Sequence, residues 1–144
     1  GGVAITPPND TIGNATLVEC GSTDTSNNIL ATNIDAPAVC GGLTPGTGVW
    51  YKFIGDGSDV TVSTDNPITN FDTQIFVYSG APGSLNCIGS DNDSGTAGTT
   101  SEFTFTANTG TDYYIYIDGN GSSIGQFELS ISCTSCNANA GNWN

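Results

Sequence analysis

The chain has no histidine, no methionine and a single basic residue, Lys52, among its 144 residues. The missing imidazole removes the commonest general base and the commonest nitrogen ligand for metals. Fourteen acidic residues against that one lysine give a formal net charge of −13. A chain this acidic, with no basic patch, is repelled by nucleic-acid backbones and by anionic lipid surfaces, which excludes both as partners. No apolar run approaches the ~20 residues that cross a bilayer as a helix. Charged residues make up only 10% of the chain, so its polar surface comes from Thr, Ser, Asn and Gly. Lys52 is the only candidate for a cationic electrostatic catalyst. Together these gaps argue against most enzyme mechanisms.

The absence of Met, at position 1 included, is read as loss of a leader ahead of Gly1-Gly2. Five cysteines suit an oxidising compartment. The expectation is a secreted or cell-surface protein.

With 36% apolar residues, the chain builds one core, and a domain of this length buries ~68–70% of its unfolded surface. Turn residues recur every 8–12 positions and separate short runs of Val, Ile, Thr, Tyr and Phe, the pattern of an all-β sandwich. Candidate strands are 3–6, 16–20, 48–54, 59–64, 73–79, 85–89, 101–107, 112–118 and 125–132. In 101–107, Phe103 and Phe105 share one face; in 125–132, Phe127, Leu129 and Ile131 do. That period of two puts one face in the core and the other in water. Tyr113-Tyr114-Ile115-Tyr116-Ile117 is apolar on both faces, which marks a central strand or one covered by another segment. The stretch 21–48 is the least regular, with weak strand signals around 29–34. The expected fold is an antiparallel β-sandwich of about eight or nine strands, jelly-roll or CUB-like, stapled by disulfides. Its expected parts are an N-terminal β-arm (1–8), the sandwich (9–133) and a C-terminal tail (134–144).

An ordered set of short motifs runs through the chain. It comprises Pro8-Asn9-Asp10, Cys20-Gly21-Ser22-Thr23, Gly48-Val49-Trp50-Tyr51-Lys52-Phe53 and Asp59-Val60-Thr61-Val62-Ser63-Thr64. After these come Asn70-Phe71-Asp72-Thr73, Val77-Tyr78-Ser79-Gly80, Asp91-Asn92-Asp93, Tyr113 to Gly119 and Gly125-Gln126-Phe127-Glu128-Leu129. Over residues 8–133 this set resembles the β-sandwich modules of Bacteroidetes-type secreted surface proteins, which are similar to bacterial pre-peptidase C-terminal domains and distantly CUB-like. The resemblance implies a non-catalytic module appended to secreted hydrolases or adhesins. Relatives of this kind often carry a Cys where Asp65 stands and another near Ala81-Pro82; this chain has neither.

Five cysteines leave at least one without an intramolecular partner. The sequence reading pairs Cys20 with Cys40 and Cys87 with Cys133 or Cys136. Cys133-x-x-Cys136 has no second such motif and no histidine, so a staple is preferred over a zinc or redox site. Asp72, Asp91 and Asp93 offer hard oxygen ligands from loops, which suit Ca²⁺; the competing reading is that they are turn formers. A glycosidase pair is rejected, because the resembled modules are non-catalytic. Tyr78, Tyr114, Tyr116 and Trp143 are candidates either for stacking on carbohydrate or for the core. Asn9, Asn14, Asn92 and Asn120 sit in N-linked sequons. Asp10-Thr11-Ile12 resembles the acidic-Thr-aliphatic pattern of Bacteroidetes O-glycosylation, which makes Thr11 the favoured carrier of a covalent glycan.

In the N-terminal arm, Val3 and Ile5 alternate with Ala4 and Thr6, and Pro7-Pro8 ends the strand as a stiff elbow. Such an arm suits strand addition to a second copy, with Val3 and Ile5 at the subunit interface, or fold-back onto its own sheet. Two functions follow. One is the repeating, self-assembling subunit of an extracellular fibre or surface appendage. The other is a carbohydrate- or matrix-binding module of a secreted enzyme or adhesin.

Overall fold

A computed structural model describes residues 6–134. The strands are β1 (Thr16–Leu17), β2 (Thr23–Asn27), β3 (Gly48–Ile54), β4 (Asp59–Ser63), β5 (Thr73–Ala81), β6 (Ser84–Asn92), β7 (Glu102–Thr106), β8 (Asp112–Gly119) and β9 (Gln126–Thr134). They form two sheets, ordered β1-β3-β8-β5-β6 and β2-β9-β4-β7. Every pairing is antiparallel except β1 with β3. The expected all-β sandwich is therefore what the chain forms. The arm with Val3 and Ile5, and the tail with Cys136 and Trp143, lie outside the described residues.

Alternation places the core. Val60 and Val62 of β4, Phe105 of β7 and Phe127, Leu129 and Ile131 of β9 face Val49, Tyr51, Phe53, Ile75, Val77, Tyr113, Ile115 and Ile117 of the larger sheet. Phe103 closes this layer at the edge by packing over Gly89. A Cβ on Gly89 would stand 2.3 Å from the Phe103 ring, so β6 and β7 approach only because that position has no side chain. The opposite face of the larger sheet is apolar as well. Trp50, Phe76, Tyr78, Tyr114 and Tyr116 pack there beneath Ile12, Ala15, Ala36, Cys40 and Leu43 of the irregular segments that precede β3. This accounts for the run 113–117: β8 sits between β3 and β5, and both of its faces are buried.

The regular strand in 21–48 is β2, and the signal around 29–34 corresponds to bends and turns. The edge strand β2 turns Asp24 and Ser26 inward, opposite Leu129 and Phe127, so it lacks the apolar alternation that marks a half-buried strand. The Tyr51 hydroxyl crosses between the sheets and donates to Asp24 Oδ2 at 2.7 Å. Burial, and then the Asp24 carboxylate, push the Tyr51 phenol well above the usual tyrosine range. The β1 strand ends at Leu17 rather than at Cys20.

The expected disulfides are corrected. Cys20 bonds Cys133 and Cys40 bonds Cys87, each with Cα atoms 5.5 Å apart. Cys20–Cys40 fails because the two residues serve different layers. Cys20 lies beside the end of β9, where Gly21 N–H donates to the Ile131 carbonyl. Cys40 is buried on the far face of the larger sheet. Each bridge ties a loop to a distant strand.

Peptide mapping without reduction is expected to recover Cys20 linked to Cys133 and Cys40 linked to Cys87. The Cys40–Cys87 bridge closes 47 residues, and on the chain-entropy model its removal costs ~4 kcal/mol. In a Trp143→Phe background, Cys40→Ser/Cys87→Ser should red-shift Trp50 emission and lower the urea midpoint, as the cover over Trp50 loosens. Phe127→Ala should cost ~3–5 kcal/mol in the same measurement.

Candidate functional site

The loops at one end of the sandwich gather most of the predicted ligands. Asp72 precedes β5, Asn92 ends β6, Asp93 follows it, and Asn120 follows β8. The Asn92 carboxamide lies among three oxygens: 3.2 Å from Asp72 Oδ1, 3.2 Å from the Thr73 carbonyl and 3.0 Å from Asp93 Oδ1. Asn120 Nδ2 donates to Asp72 Oδ2 at 3.2 Å, and the Asn120 backbone N–H donates to the Asp72 carbonyl at 2.8 Å. Asp93 holds a left-handed φ of +82°, the one positive φ outside glycine among the described residues. Partial desolvation, and after it the Asp72 carboxylate, raise the Asp93 carboxyl above its ordinary value.

Asp91 does not join this group, which corrects the expected triad. Its carboxylate accepts from Ser94 N–H at 3.1 Å, from the Ser94 hydroxyl and from Glu102 N–H at 3.0 Å. That is the turn-forming role. Among the described residues no three acidic, Cys or His side chains converge. The sequence spacing Asp91-x-Asp93 does not show that the Asp91 carboxylate is taken up by Ser94 and Glu102, while Asp93 leaves the strand with a left-handed φ. The Asn92 carboxamide and the Thr73 carbonyl, which sequence reasoning missed, lie beside Asp72 and Asp93 instead.

Nearby, Asp65 takes the place of the cysteine common in the resembled modules. It accepts from Thr96 N–H and Oγ1 at 3.0 and 2.9 Å, and from Thr100 Oγ1 at 2.9 Å. These bonds, led by the Thr96 N–H, hold its carboxyl below the usual range. A buried hydroxyl cluster of Thr64, Thr73 and Ser101 anchors the same loop from within.

Of the two readings of the tyrosines, the structure takes the core. Tyr78, Tyr114 and Tyr116 are 2%, 6% and 1% exposed, so they form core and not a sugar-binding surface. Tyr78 and Tyr116 donate to the carbonyls of Ala38 and Gly46 in the covering segment. Asn9 is removed from the glycan acceptors: it is 3% exposed and its amide donates to the Trp50 carbonyl at 2.9 Å. Thr11 is half-buried, Asn14 and Asn120 are exposed, and Asn92 is half-buried with its carboxamide inside the oxygen cluster. Lys52 lies 3.4 Å from Asp112 and 5.7 Å from the centroid of Tyr114, at the opposite end of β8 from Asn120. A cleft of about 420 Å³, which no sequence signal marked, opens beside β1 between Leu17, Val18, Glu19, Phe53, Ile54 and Asp56.

One buried acid stands apart. Asp118 is fully buried; its Oδ2 accepts from Gly46 N–H and its Oδ1 has no partner. Burial pushes its pKa up to about 7, against the smaller opposing pull of the Gly46 N–H.

No family model matches the chain, and no curated protein matches it. A similar solved structure is the pre-peptidase C-terminal domain of a collagenase from Bacillus anthracis, a domain of the kind the sequence resembles. It is 17% identical, with 82% of this chain and 94% of that chain covered and a TM-score of 0.46. The sandwich assignment rests on the strands and sheets of this chain itself.

The folded-state pKa of Asp118 lies above its ordinary value of 3.8. The corresponding stability is therefore fully present below about pH 4 and is lost as pH rises through about 7. A thermal-melt series should show the wild type losing on the order of 2–4 kcal/mol across that window relative to Asp118→Asn. At pH 8 the variant should be the more stable protein.

Proposed function

We propose that the chain is a non-catalytic, exported β-sandwich module. The observation that carries this reading is where the fold puts its most perturbed groups. Asp118, Tyr51, Tyr78 and Tyr116 are the residues whose proton affinity is shifted farthest. All four are sealed in the core or beneath the covering segment, whereas a catalytic acid or base must reach its substrate. Their perturbation is structural. Two disulfides that brace both layers fit an oxidising, extracytoplasmic setting. No helix among the described residues is long and apolar enough to cross a membrane.

The finer form of this reading is a self-assembling subunit, joined through Val3 and Ile5 of the arm. Its support is the sequence: the alternation in 3–6 and the Pro7-Pro8 elbow. The carbohydrate-binding form loses its tyrosine platform to the core and would need another surface.

Two measurements test the proposal. The purified chain should show no turnover above a heat-denatured control on panels of esters, glycosides and peptides. Turnover abolished by a single substitution would overturn the non-catalytic reading. Electron micrographs and size-exclusion profiles of wild type and Val3→Asp/Ile5→Asp decide the finer form. Filaments lost in the variant support it, whereas monodisperse wild type leaves an appended module.

A further inference from the structure

We propose that Asp118 donates a proton from Oδ1 to Gln74 Oε1 across the β5–β8 pair, and that this acid–amide bond latches the covering segment at Gly46 and frees it when the proton is lost.

Two buried oxygens without partners sit on neighbouring side chains. Asp118 and Gln74 stand opposite each other in the β5–β8 register. Alternation puts them on the same face as Tyr116 and Phe76, beneath the cover. They are 0% and 3% exposed, and Asp118 Oδ1 and Gln74 Oε1 are both buried with no hydrogen bond. Side chains directly opposite in an antiparallel pair start about 4.5–5.5 Å apart at Cβ, which is within reach of an Asp and a Gln. On the other flank of Asp118 stands Gly48, which has no side chain to offer.

A count of donors decides what joins them. Gly46 N–H donates to the other carboxyl oxygen, Asp118 Oδ2. Gln74 Nε2 donates to Asn120 Oδ1 at 3.4 Å, and Asn120 Nδ2 donates to Asp72 Oδ2 at 3.2 Å. The Tyr116 and Tyr78 hydroxyls donate to the carbonyls of Gly46 and Ala38. Trp50 Nε1, also buried and unpartnered, bonds to neither oxygen. Two acceptors remain. A carboxylate has no hydrogen to give, whereas a protonated carboxyl has one. A proton on Oδ1 therefore satisfies both oxygens and removes a buried charge. No cation could balance that charge, because Lys52, the only basic residue, pairs with Asp112 at the start of β8. Burial favours the same neutral form and places the titration at about 7.

No neighbouring group titrates in that range. The ionisable side chains that feel the Asp118 charge are Tyr116 on its own strand and Tyr78 on β5, and burial pushes both phenols above the usual tyrosine range. β3 brings Gly48 and the covering segment brings Gly46. Asp10 and Asp35 act on Tyr116, and Asp72 connects to the pair through Asn120.

The latch follows from Gly46. β8 grips both of its backbone groups, the N–H through Asp118 and the carbonyl through Tyr116. An ionised Oδ1 facing the Gln74 oxygen has no donor, so it needs water. Gly46 is half-buried, and moving its segment hydrates Asp118 at less cost than opening the sandwich. The closed-state pKa lies above the ordinary value of 3.8. Opening is therefore unaffected well below pH 7 and rises about tenfold per pH unit above it.

The test uses the full chain, with carboxyl and side-chain amide NMR and amide hydrogen exchange followed against pH. One carboxyl signal, identified by its absence in Asp118→Asn, should titrate near neutrality, and the Gln74 side-chain amide signals should shift with the same midpoint. Gln74→Met keeps the length and removes the acceptor, so it should lower that midpoint by about one unit. Exchange of the Gly46 amide, corrected for its intrinsic pH dependence, should quicken about tenfold between about pH 6 and pH 8. Asp118→Asn, whose amide donates to Gln74 at every pH, should abolish that increase. Leu129 in β9 should remain the better protected throughout, which separates release of the cover from loss of the fold. An Asp118 carboxyl already ionised at about pH 5 overturns the bond. So does a midpoint that stays or rises in Gln74→Met, because Gln74 would then not present its oxygen. Should that variant fail to fold, wild-type Gln74 amide signals that ignore the Asp118 midpoint overturn the bond equally. Titration of Asp118 without quickened Gly46 exchange overturns the latch.

Discussion

The structure depends on a sheet that is apolar on both faces. The β3–β8–β5 centre turns Val49, Tyr51, Ile75, Val77, Ile115 and Ile117 toward the second sheet, and Trp50, Phe76, Tyr78, Tyr114 and Tyr116 away from it. A two-layer sandwich covers only one of those faces. The second requires a cover, because aromatic side chains of this size each bury on the order of 150–250 Å². The irregular chain ahead of β3 provides that cover, and most of its features follow from the task. Asn9 docks on both backbone groups of Trp50. Asp10 clamps Thr32 and Asp35 clamps Ile12. Cys40 is bonded to Cys87 on the edge strand. A cover without regular structure cannot satisfy its own backbone in a ladder, so it is held by side-chain caps, tyrosine hydroxyls and a covalent bond.

The same constraint explains the polar groups found inside. Tyrosines that face a cover or an opposing sheet must place a hydroxyl, and they use Asp24, Ala38 and Gly46 to do so. Asp118 fixes Gly46, the residue that also receives Tyr116. At the loop end, where strands separate and backbone groups lose their ladders, Thr64, Thr73, Ser101 and Asp65 replace them with hydroxyl and carboxylate bonds. The oxygens around Asn92 lie at that same end, where the Asn92, Asn120 and Ser101 side chains serve them.

Strand positions were largely legible. Gly48–Ile54 has the expected bounds, and β4, β5, β7, β8 and β9 fall within two residues of them, because alternation and flanking turns act locally. The inward face of β9 was legible for the same reason. β2 was not, since an edge strand that turns Asp24 inward presents no apolar period, and its existence depends on pairing with β9. Within the cluster, Asp72 and Asp93 were legible as loop oxygens. The engagement of Asp91 with Ser94 and Glu102 and the approach of the Thr73 carbonyl to Asn92 were not, because both depend on where the main chain runs after β6.

The sequence by itself determined the class of fold, the acidic character and the apolar identity of both faces of β8. Those are set by side-chain period and charge, which every local segment carries with it. Only the tertiary structure decided which cysteines bond, which aromatics are exposed and which oxygens meet. Those outcomes depend on residues far apart in the chain, Cys20 with Cys133 and Asp72 with Asn92, that are brought together by burying a two-faced sheet.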